Sequence, residues 1–365
     1  MSLLKKYNDY LSHDGPAAIV IREPLMPVEG ADGVLFPATF ASGDGFAGGY
    51  NIDTDPNGDN VCLVDTVGSQ ANRIEPLFKE EAYASLVPQI AVQAGEKVIS
   101  ILDAGHRAGD ALVRCSALQQ ELQAAFKSVL KGDAEPLAKV APTSLVFGVW
   151  DSRDTQAKLP RLVASTIRAH NVRRLTRSAQ FNPATEFVRE GLLDEPADKS
   201  AKDEYAVRGF IHVPASGSHG GVVATGGILR TATLSLAALR LLSAADAERT
   251  LKLRRYILGI SLVALTAHVS NYLRQGCMLV RNPEATYEFV EVYPHGQRKP
   301  CDIGHQQALE FALAAAKEFG VGESRTVDFD KALAKQDVSG DAGGKTKGKA
   351  KKGKGAKSAT AEGDE

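Results

Sequence analysis

Apolar residues recur along this chain with two different spacings, and each spacing predicts a different kind of element. Short apolar or alternating runs predict strands, because successive side chains of a strand point to opposite faces. The predicted strands are Ala18–Leu25, Lys97–Asp103, Ser144–Trp150, Arg208–Val213, Met278–Arg281 and Tyr287–Tyr293. The segment Arg161–Val172 fits either a strand or a short helix.

Apolar residues three and four positions apart predict helices instead. Ser69 is predicted to be the N-cap of a short helix, which Pro76 must kink or end. Because helices and strands mix without a strict βαβ alternation, the sequence favours an α+β fold over a doubly wound sheet. The longer predicted helices are Arg107–Leu130, Ile228–Leu242, Ala245–His268 and His305–Phe319.

Three segments depart from this pattern. Pro27–Asn60 is a long loop rich in glycine and proline, and loops of that length are usually functional or mobile. Pro183–Arg208 is charged and predicts a protruding insertion. After Lys335 the composition shifts to Gly, Lys, Ala and Ser, which bury too little apolar surface to order a chain. We therefore predict a folded domain over 1–335 and a disordered basic tail over 336–365.

Charge and cysteine content narrow the class of protein. The formal net charge is −1, but Asp341–Glu365 holds seven lysines and four acids, so the remainder is mildly acidic. A role with nucleic acid must therefore come from clustered charge and not from total charge. The four cysteines lie far apart without a CxxC pair, which argues against a zinc ribbon and favours a reducing, cytoplasmic compartment. The longest apolar run, Tyr256–Ala267, is too short to span a bilayer.

The densest positive charge outside the tail lies between Asp151 and Arg177. Arginine is suited to phosphate because its planar fork makes two parallel hydrogen bonds. An equally acceptable interpretation is a solvated surface whose cations pair with acids elsewhere. The candidate RNA-binding residues of this cluster are Arg153, Lys158, Arg161, Arg168, Arg173, Arg174 and Arg177.

Two shorter segments also carry polar groups at the start of predicted helices. In Gly68–Arg73, a hydroxyl and the first backbone N–H groups of a helix are typical of phosphate binding, but local features alone favour an ordinary capped helix with an exposed arginine. In Asp103–Arg114, His106 and Asp110 have the spacing of a base and its orienting acid, but a histidine there is more often a polar cap.

A glycine-rich segment, Gly217–Arg230, precedes the predicted helix Ile228–Leu242 and is either a phosphate cradle or a flexible connector. It is not a Walker A loop, because Gly227 and Ile228 occupy the positions of the required lysine and hydroxyl residue. An ATPase is therefore excluded on this segment. Gly226 and Gly227 remain candidate RNA contacts.

Three blocks of the sequence resemble one known family. LVDTVGSQANRIEP (Leu63–Pro76), GHRAGDALVR (Gly105–Arg114) and the longer block Ser144–Phe181 are similar to the Cas seven backbone subunit of type I-G CRISPR systems, formerly type I-U. The similarity extends from about Leu63 to about His268. It implies the RAMP superfamily, with a modified RRM-like (ferredoxin-like) core that carries large insertions.

The resemblance also implies site residues and partners. The run Ser69-Gln70-Ala71-Asn72-Arg73 resembles the Ser-Gln-x-x-Lys stretch with which other backbone subunits hold the guide, so Ser69, Gln70 and Arg73 are the first RNA-contact candidates. His106 and Arg107 are added from the second block. The implied partners are the guide RNA (crRNA), the target DNA strand that pairs with it, identical neighbouring subunits, and the guide-processing and large subunits.

On this hypothesis the protein binds without chemistry, and we expect neither a cofactor nor a metal. Pro183–Arg208 is the candidate for the thumb, the hairpin that interrupts the guide–target duplex in such proteins, and Pro27–Asn60 is the second candidate. One alternative is a metal-dependent RNA or DNA endonuclease that uses Asp65 or Asp103. Another is a stand-alone RNA-binding protein whose lysine tail supplies the affinity.

Overall fold

Strands and helices follow one another irregularly in a computed structural model, which describes residues 3–339 except 269 and 271. The strands are β1 (Ala18–Pro27), β2 (Thr39–Phe40), β3 (Gly49–Tyr50), β4 (Ile52–Thr54), β5 (Asn60–Asp65), β6 (Ile90–Ala94), β7 (Lys97–Ser100), β8 (Val149–Trp150), β9 (Lys158–Leu159), β10 (Val163–His170), β11 (Val172–Phe181), β12 (Val213–Ala224), β13 (Ile228–Ser235), β14 (Tyr272–Arg274), β15 (Cys277–Arg281), β16 (Glu288–Val292), β17 (Arg298–Pro300) and β18 (Arg325–Asp328). The α-helices are α1 (Val67–Ile74), α2 (Ala111–Arg114), α3 (Gln119–Leu130), α4 (Glu135–Val140), α5 (Pro142–Phe147), α6 (Lys199–Val207), α7 (Leu236–Leu239), α8 (Ala247–Thr266), α9 (His305–Phe319) and α10 (Lys331–Ser339).

The main sheet is antiparallel and is ordered β14-β15-β1-β13-β10-β5-β4, with β16 also paired to β1. The first half of β1 pairs with β16 and its last residues pair with β15. Along the chain, β1 is followed by α1 and then β10, and β13 is followed by α8 and then β15 and β16. The last strands thus lie beside the first, and β13 lies between β1 and β10. This β-α-β-β-α-β arrangement confirms the α+β class and the RRM-like, ferredoxin-like core.

The larger hydrophobic core lies between this sheet and the helices. On β1, Ile19 and Ile21 are buried while Arg22 is exposed, as expected for a strand with one covered face. Helix α8 is buried from Tyr256 to Leu265. A Cβ at Gly259 would lie 2.8 Å from Ala312 Cα of α9, so the close approach of α8 to α9 requires a glycine.

A two-stranded ribbon projects from the core as a continuation of its central hairpin. Strand β10 passes through Asn171, which has a left-handed φ of 47°, into β11. Strand β12 returns through Thr225–Gly227 into β13. The predicted insertion Pro183–Arg208 lies between β11 and β12, at the end of this ribbon, and includes α6. Its position therefore agrees with a protruding element, and its role as a thumb stays a prediction.

Two predicted elements in the first half of the chain are wrong. The helix predicted over Arg107–Leu130 is divided into a 3-10 turn, α2 and α3, because Asp110 caps α2 and Ser116 turns its side chain back to the carbonyl of Val113. The strand predicted over Ser144–Trp150 begins instead as the buried helix α5. Gly148, with a φ of 78°, ends that helix before β8.

Two further corrections concern the second half. Arg208–Val213 is not a strand, since β12 begins only at Val213. The helix predicted over Ile228–Leu242 is mainly the strand β13, which is held on both sides by β1 and β10. Its alternating β-branched residues suit a central strand, and pairing on two edges outweighs the helical spacing of its leucines. The glycine-rich segment Gly217–Arg230 is therefore the end of β12, the bend after it and the start of β13, and no helix follows it directly.

The remaining predictions of single elements are confirmed with small shifts. Arg161–Val172 contains the strand β10, and α8 and α9 lie where helices were predicted. Helix α10 continues to Ser339, past the boundary predicted at Lys335. The rest of the predicted tail, 340–365, lies outside the described residues. Among the described helices, none has the length and apolar character needed to cross a bilayer.

Candidate nucleic-acid interface

A basic pocket with a volume of about 590 Å³ collects residues from three separate parts of the chain. We call it the Trp150 pocket. It contains five of the predicted RNA-binding residues, which are His106, Arg107, Arg153, Lys158 and Arg161. Arg114 and Trp150 also line it. The sequence analysis did not single out either residue, although a lone tryptophan next to a basic cluster is a signal that the sequence contains.

The hairpin that carries Trp150 is held by an internal network of hydrogen bonds. Strands β8 and β9 pair, with Trp150 opposite Lys158. The buried carboxylate of Asp151 accepts hydrogen bonds from Thr155 N at 2.8 Å and Thr155 Oγ1 at 2.6 Å. Asp151 N donates to Ala157 O at 2.8 Å. This network fixes the loop that joins the two strands, so Trp150 is presented on a constrained support.

The exposed cations of the pocket differ from its buried ones. Arg153, Lys158 and Arg161 are exposed, and within the described part of the chain none of them forms an ion pair. Lys158 Nζ lies 5.5 Å from the centroid of the Trp150 ring, within cation–π range. These three side chains can therefore contact an anionic ligand without breaking a salt bridge.

Arg107 lies beneath the pocket and is a structural cation. Its guanidinium Nε is 2.6 Å from Glu75 Oε2, and both side chains are almost completely buried. Its other nitrogens donate to Gly148 O and Asn72 Oδ1, both at 3.3 Å. Burial raises the pKa of Glu75 to about 7, although Arg107 opposes the shift. Arg107 also has a φ of 54°, a backbone conformation that side chains rarely adopt.

Helix α1 brings the predicted Ser69-Gln70-Arg73 run beside this pocket. Its N-cap is Thr66 and not Ser69, because the Thr66 hydroxyl accepts from Ser69 N at 3.0 Å. Gln70 is buried, where its Nε2 donates to Asp65 Oδ2 at 2.7 Å and its Oε1 accepts from Ser165 Oγ at 2.8 Å. The described contacts of Gln70 are thus internal, and they position the carboxylate that Arg73 binds.

Arg73 uses its planar fork within the protein. Its Nε donates to Asp65 Oδ2 at 3.1 Å and its Nη2 donates to Leu273 O at 2.8 Å. About a third of the side chain stays exposed. The contact with Leu273 joins α1 to β14, which lies far away in the sequence. The guanidinium is therefore held in place at the surface.

A second pocket, of about 570 Å³, lies next to β14, and we call it the Tyr50 pocket. Arg274, the neighbour of Leu273, lines it together with Arg177 and His219. Tyr50 is buried, its hydroxyl accepts from Gly221 N at 3.1 Å, and its ring lies 4.9 Å from that of His219. The predicted loop Pro27–Asn60 thus packs on the base of the ribbon.

Helix α1 connects the two pockets. Asn72 contacts Arg107 of the Trp150 pocket, and Arg73 contacts the residue before Arg274 of the Tyr50 pocket. Asn72 and Arg73 of α1 thus link the two pockets, while Gln70 is buried behind them. We call the two pockets together with these two linking residues the basic track.

Other predicted residues lie elsewhere. Arg173 and Arg174 are exposed on the ribbon strand β11, and Arg168 is exposed on β10, where its Nη1 donates to Thr166 Oγ1 at 2.8 Å. Gly226 and Gly227 form the bend at the base of the ribbon, and Gly226 N donates to His170 O at 2.9 Å. That N–H is therefore already used by the protein.

The carboxylates of the endonuclease alternative are each held by a cation. Asp65 is buried against Gln70 and Arg73, and Asp103 Oδ1 lies 2.5 Å from Lys79 Nζ. His106 Nδ1 is 3.5 Å from Asp110 Oδ2, and its side chain is largely exposed. Within the described residues, no group of three or more His, Cys, Asp or Glu side chains is arranged to hold a metal ion.

Comparison with known protein families gives a match over part of the chain. Residues 19–174 match the model of a family described as CRISPR-associated protein GSU0053. The match supports a CRISPR-associated protein. It likewise supports a role in CRISPR defence, in agreement with the coarser part of the resemblance. No curated protein matches the chain.

The matched range has a clear relation to the basic track. It begins in β1 and ends in β11, so it includes α1, the whole lining of the Trp150 pocket and Arg174. Arg177, His219 and Arg274 of the Tyr50 pocket lie after it. The match therefore covers the whole Trp150 pocket and, of the Tyr50 pocket, the residues Phe36, Pro37, Thr39 and Tyr50.

Proposed function

We propose that this protein is the crRNA-binding backbone subunit of a CRISPR effector complex of type I-G, and that it binds RNA without catalysing a reaction. The basic track is the observation that carries the proposal. Three exposed cations that form no described ion pair surround an exposed aromatic ring, and α1 continues the same surface toward Arg274. The match to a CRISPR-associated family and the RRM-like core support the same role.

The chemistry of the track suits a guide whose sequence varies. Arginine and lysine contact phosphates, which are the same in every nucleotide, so they hold a strand without selecting its sequence. The bases of the guide then remain available to pair with a target DNA strand. Non-catalytic binding is also consistent with the contacts of Asp65 and Asp103, because each carboxylate is paired with a cation of the protein, Asp65 in the interior and Asp103 at the surface.

In this proposal many copies lie side by side along one RNA. A contact between different surfaces of identical subunits produces an open filament when the rotation does not close. The ribbon β11–β12 and the insertion at its end project from the core, and we propose them as the thumb. The guide-processing subunit and the large subunit would complete the complex.

The test is co-expression of the full chain with a matching CRISPR array and the guide-processing subunit, followed by purification at high salt and sequencing of the RNA that remains. Discrete repeat–spacer RNA in a multi-copy particle is expected. A small species free of nucleic acid would overturn the proposal.

A matched pair of variants tests the surface itself. Arg153→Glu combined with Arg161→Glu should lower RNA affinity by about tenfold or more, because one charge-assisted contact contributes about 1.5 kcal/mol or more. The control is Lys97→Glu on β7, which is exposed and lines neither pocket. Equal RNA binding by the double variant and the control would count against the basic track.

A further inference from the structure

The side chain of Trp150 is 58% exposed, although its neighbour Val149 is buried on the same short strand. Trp150 is the only tryptophan of the chain. Covering a large exposed aromatic ring with a ligand removes apolar surface from water, which stabilises the complex. The hairpin holds the ring through the Asp151 network, so the exposure belongs to a constrained part of the fold and not to a loose side chain.

We infer that Trp150 is a stacking platform for one unpaired base of the bound RNA, and that Arg153, Lys158 and Arg161 bind the phosphates on either side of that base. The inference rests on the proposed function and adds to it a specific contact with a base. It differs from the phosphate contacts of the rest of the basic track, because a stacked base contributes through its ring and not through its charge.

The charges around the ring decide between RNA and an apolar protein surface as the occupant. A protein that covered Trp150 with apolar groups would also remove water from three exposed cations, which is costly without compensating anions. A nucleotide brings a flat ring and a phosphate together, so it covers the aromatic surface and neutralises the cations. The pocket volume of about 590 Å³ also lies within the range of small-molecule sites.

Lys158 fits this arrangement because it already lies near the ring. Its ammonium is 5.5 Å from the ring centroid, and the side chain is exposed. A base that stacks on this face of Trp150 takes the place of the ammonium, which then moves aside and can pair with a neighbouring phosphate. Arg107 below the pocket stays paired with Glu75. It supports the floor of the pocket and does not contact the phosphates of the ligand.

Tryptophan fluorescence provides the test, because Trp150 is the only tryptophan of the chain and can be excited selectively over the tyrosines. The full-length protein is titrated with a short single-stranded oligouridylate and, separately, with an abasic strand of equal length. Stacking predicts that the oligouridylate quenches the fluorescence, whereas the abasic strand binds through its phosphates with little quenching. Binding of RNA to the lysine-rich tail alone would leave the signal unchanged.

Affinities of variants for labelled oligouridylate complete the experiment. Trp150→Ala should bind about 5- to 150-fold more weakly, which corresponds to about 1–3 kcal/mol for one stacked base. Trp150→Phe keeps an aromatic ring and should retain most of the affinity. Urea unfolding of both variants checks that they fold. The fluorescence titration does not depend on this check, because it uses the unmodified protein.

The outcomes separate this inference from the proposed function. Tight RNA binding without quenching, with Trp150→Ala binding as well as the unmodified protein, overturns the stacking contact and leaves guide binding in place. Equal quenching by the abasic strand also overturns it. Failure of the unmodified protein to bind any RNA overturns the proposed function, and the inference with it.

Discussion

At the scale of single side chains, the cations of the basic track fall into two groups according to what they contact. Arg73, Arg107 and Arg114 are each bound to a carboxylate of the protein, namely Asp65, Glu75 and Asp337. The exposed cations beside Trp150 have no such partner among the described residues. The first group fixes the geometry of the surface, because a buried charge without a partner is costly. The second group is available to a ligand.

The buried pair beneath the Trp150 pocket predicts a pH dependence of stability. Burial raises the pKa of Glu75 from 4.5 to about 7. The native state then binds this proton more tightly than the unfolded chain, so the free energy of unfolding should fall as pH rises through that window. Over the whole window the loss is about 3 kcal/mol. The measurement is urea unfolding at a series of pH values.

Glu75→Gln is the matched variant, because its amide carries no titrating proton. The unmodified protein should lose stability relative to this variant between pH 4.5 and about 7. A gain relative to the variant over the same window would mean that attraction to Arg107 outweighs burial.

At the scale of elements, the ribbon depends on the bend that joins it to the core. The backbone of His170 pairs with both Gly226 and Gly227 at this bend. A Cβ at Gly226 would lie 2.9 Å from His170 O, and Gly227 has a φ of 81°. These two glycines are therefore required by the geometry of the bend. The same geometry leaves the glycine-rich segment without the helix N-terminus that a phosphate cradle needs.

A pair of alanine substitutions tests this account of the glycines. Gly226→Ala should lower the free energy of unfolding by about 1–3 kcal/mol, because the contact is with backbone that cannot move aside. Gly68→Ala in α1 should raise it by about 0.4–1 kcal/mol, since its Cβ would meet only Thr66 Oγ1 at 3.8 Å. Urea unfolding measures both. Similar effects of the two substitutions would show that neither site depends on its glycine as described.

At the scale of the whole molecule, the interface joins parts of the chain that are far apart in sequence. Helix α10 contributes Asp337, which lies 2.5 Å from Arg114 of the Trp150 pocket. The folded body therefore includes residues that the composition assigned to the tail. The seven lysines of Asp341–Glu365 follow this helix in the sequence.

Two truncations separate the body from the lysines. A chain ending at Ser339 should keep its stability and the fluorescence response of Trp150 to RNA. Its RNA affinity should depend less steeply on salt. The slope of log affinity against log salt concentration should be smaller by roughly 0.7 for each phosphate that the lysines would otherwise bind. A chain ending at Lys335 lacks Asp337 and should also be less stable. A complete absence of RNA binding by the chain ending at Ser339 would favour the tail as the source of affinity.

Elements with a strong local pattern were open to prediction from the sequence. The buried strand β1, the helices α8 and α9 and the strands β15 and β16 lie close to their predicted bounds, and the α+β class follows from them. Strand β1 and helix α9 bury one face, and α8 is a continuous apolar run that is buried on all sides from Tyr256 to Leu265, so the local pattern of apolar residues reports their burial. The exposed basic residues were also visible, because surface charge is read directly from residue type.

Only the tertiary structure decided which of these residues act together. It made Ile228–Ser235 a strand by pairing both its edges, and it placed Trp150 among cations from three parts of the chain. It also joined Arg73 to Leu273 and Arg107 to Glu75. The sequence alone determined the α+β class and the inventory of charges, because those depend on local spacing and residue type. The basic track depends on contacts between distant residues, which no local pattern records.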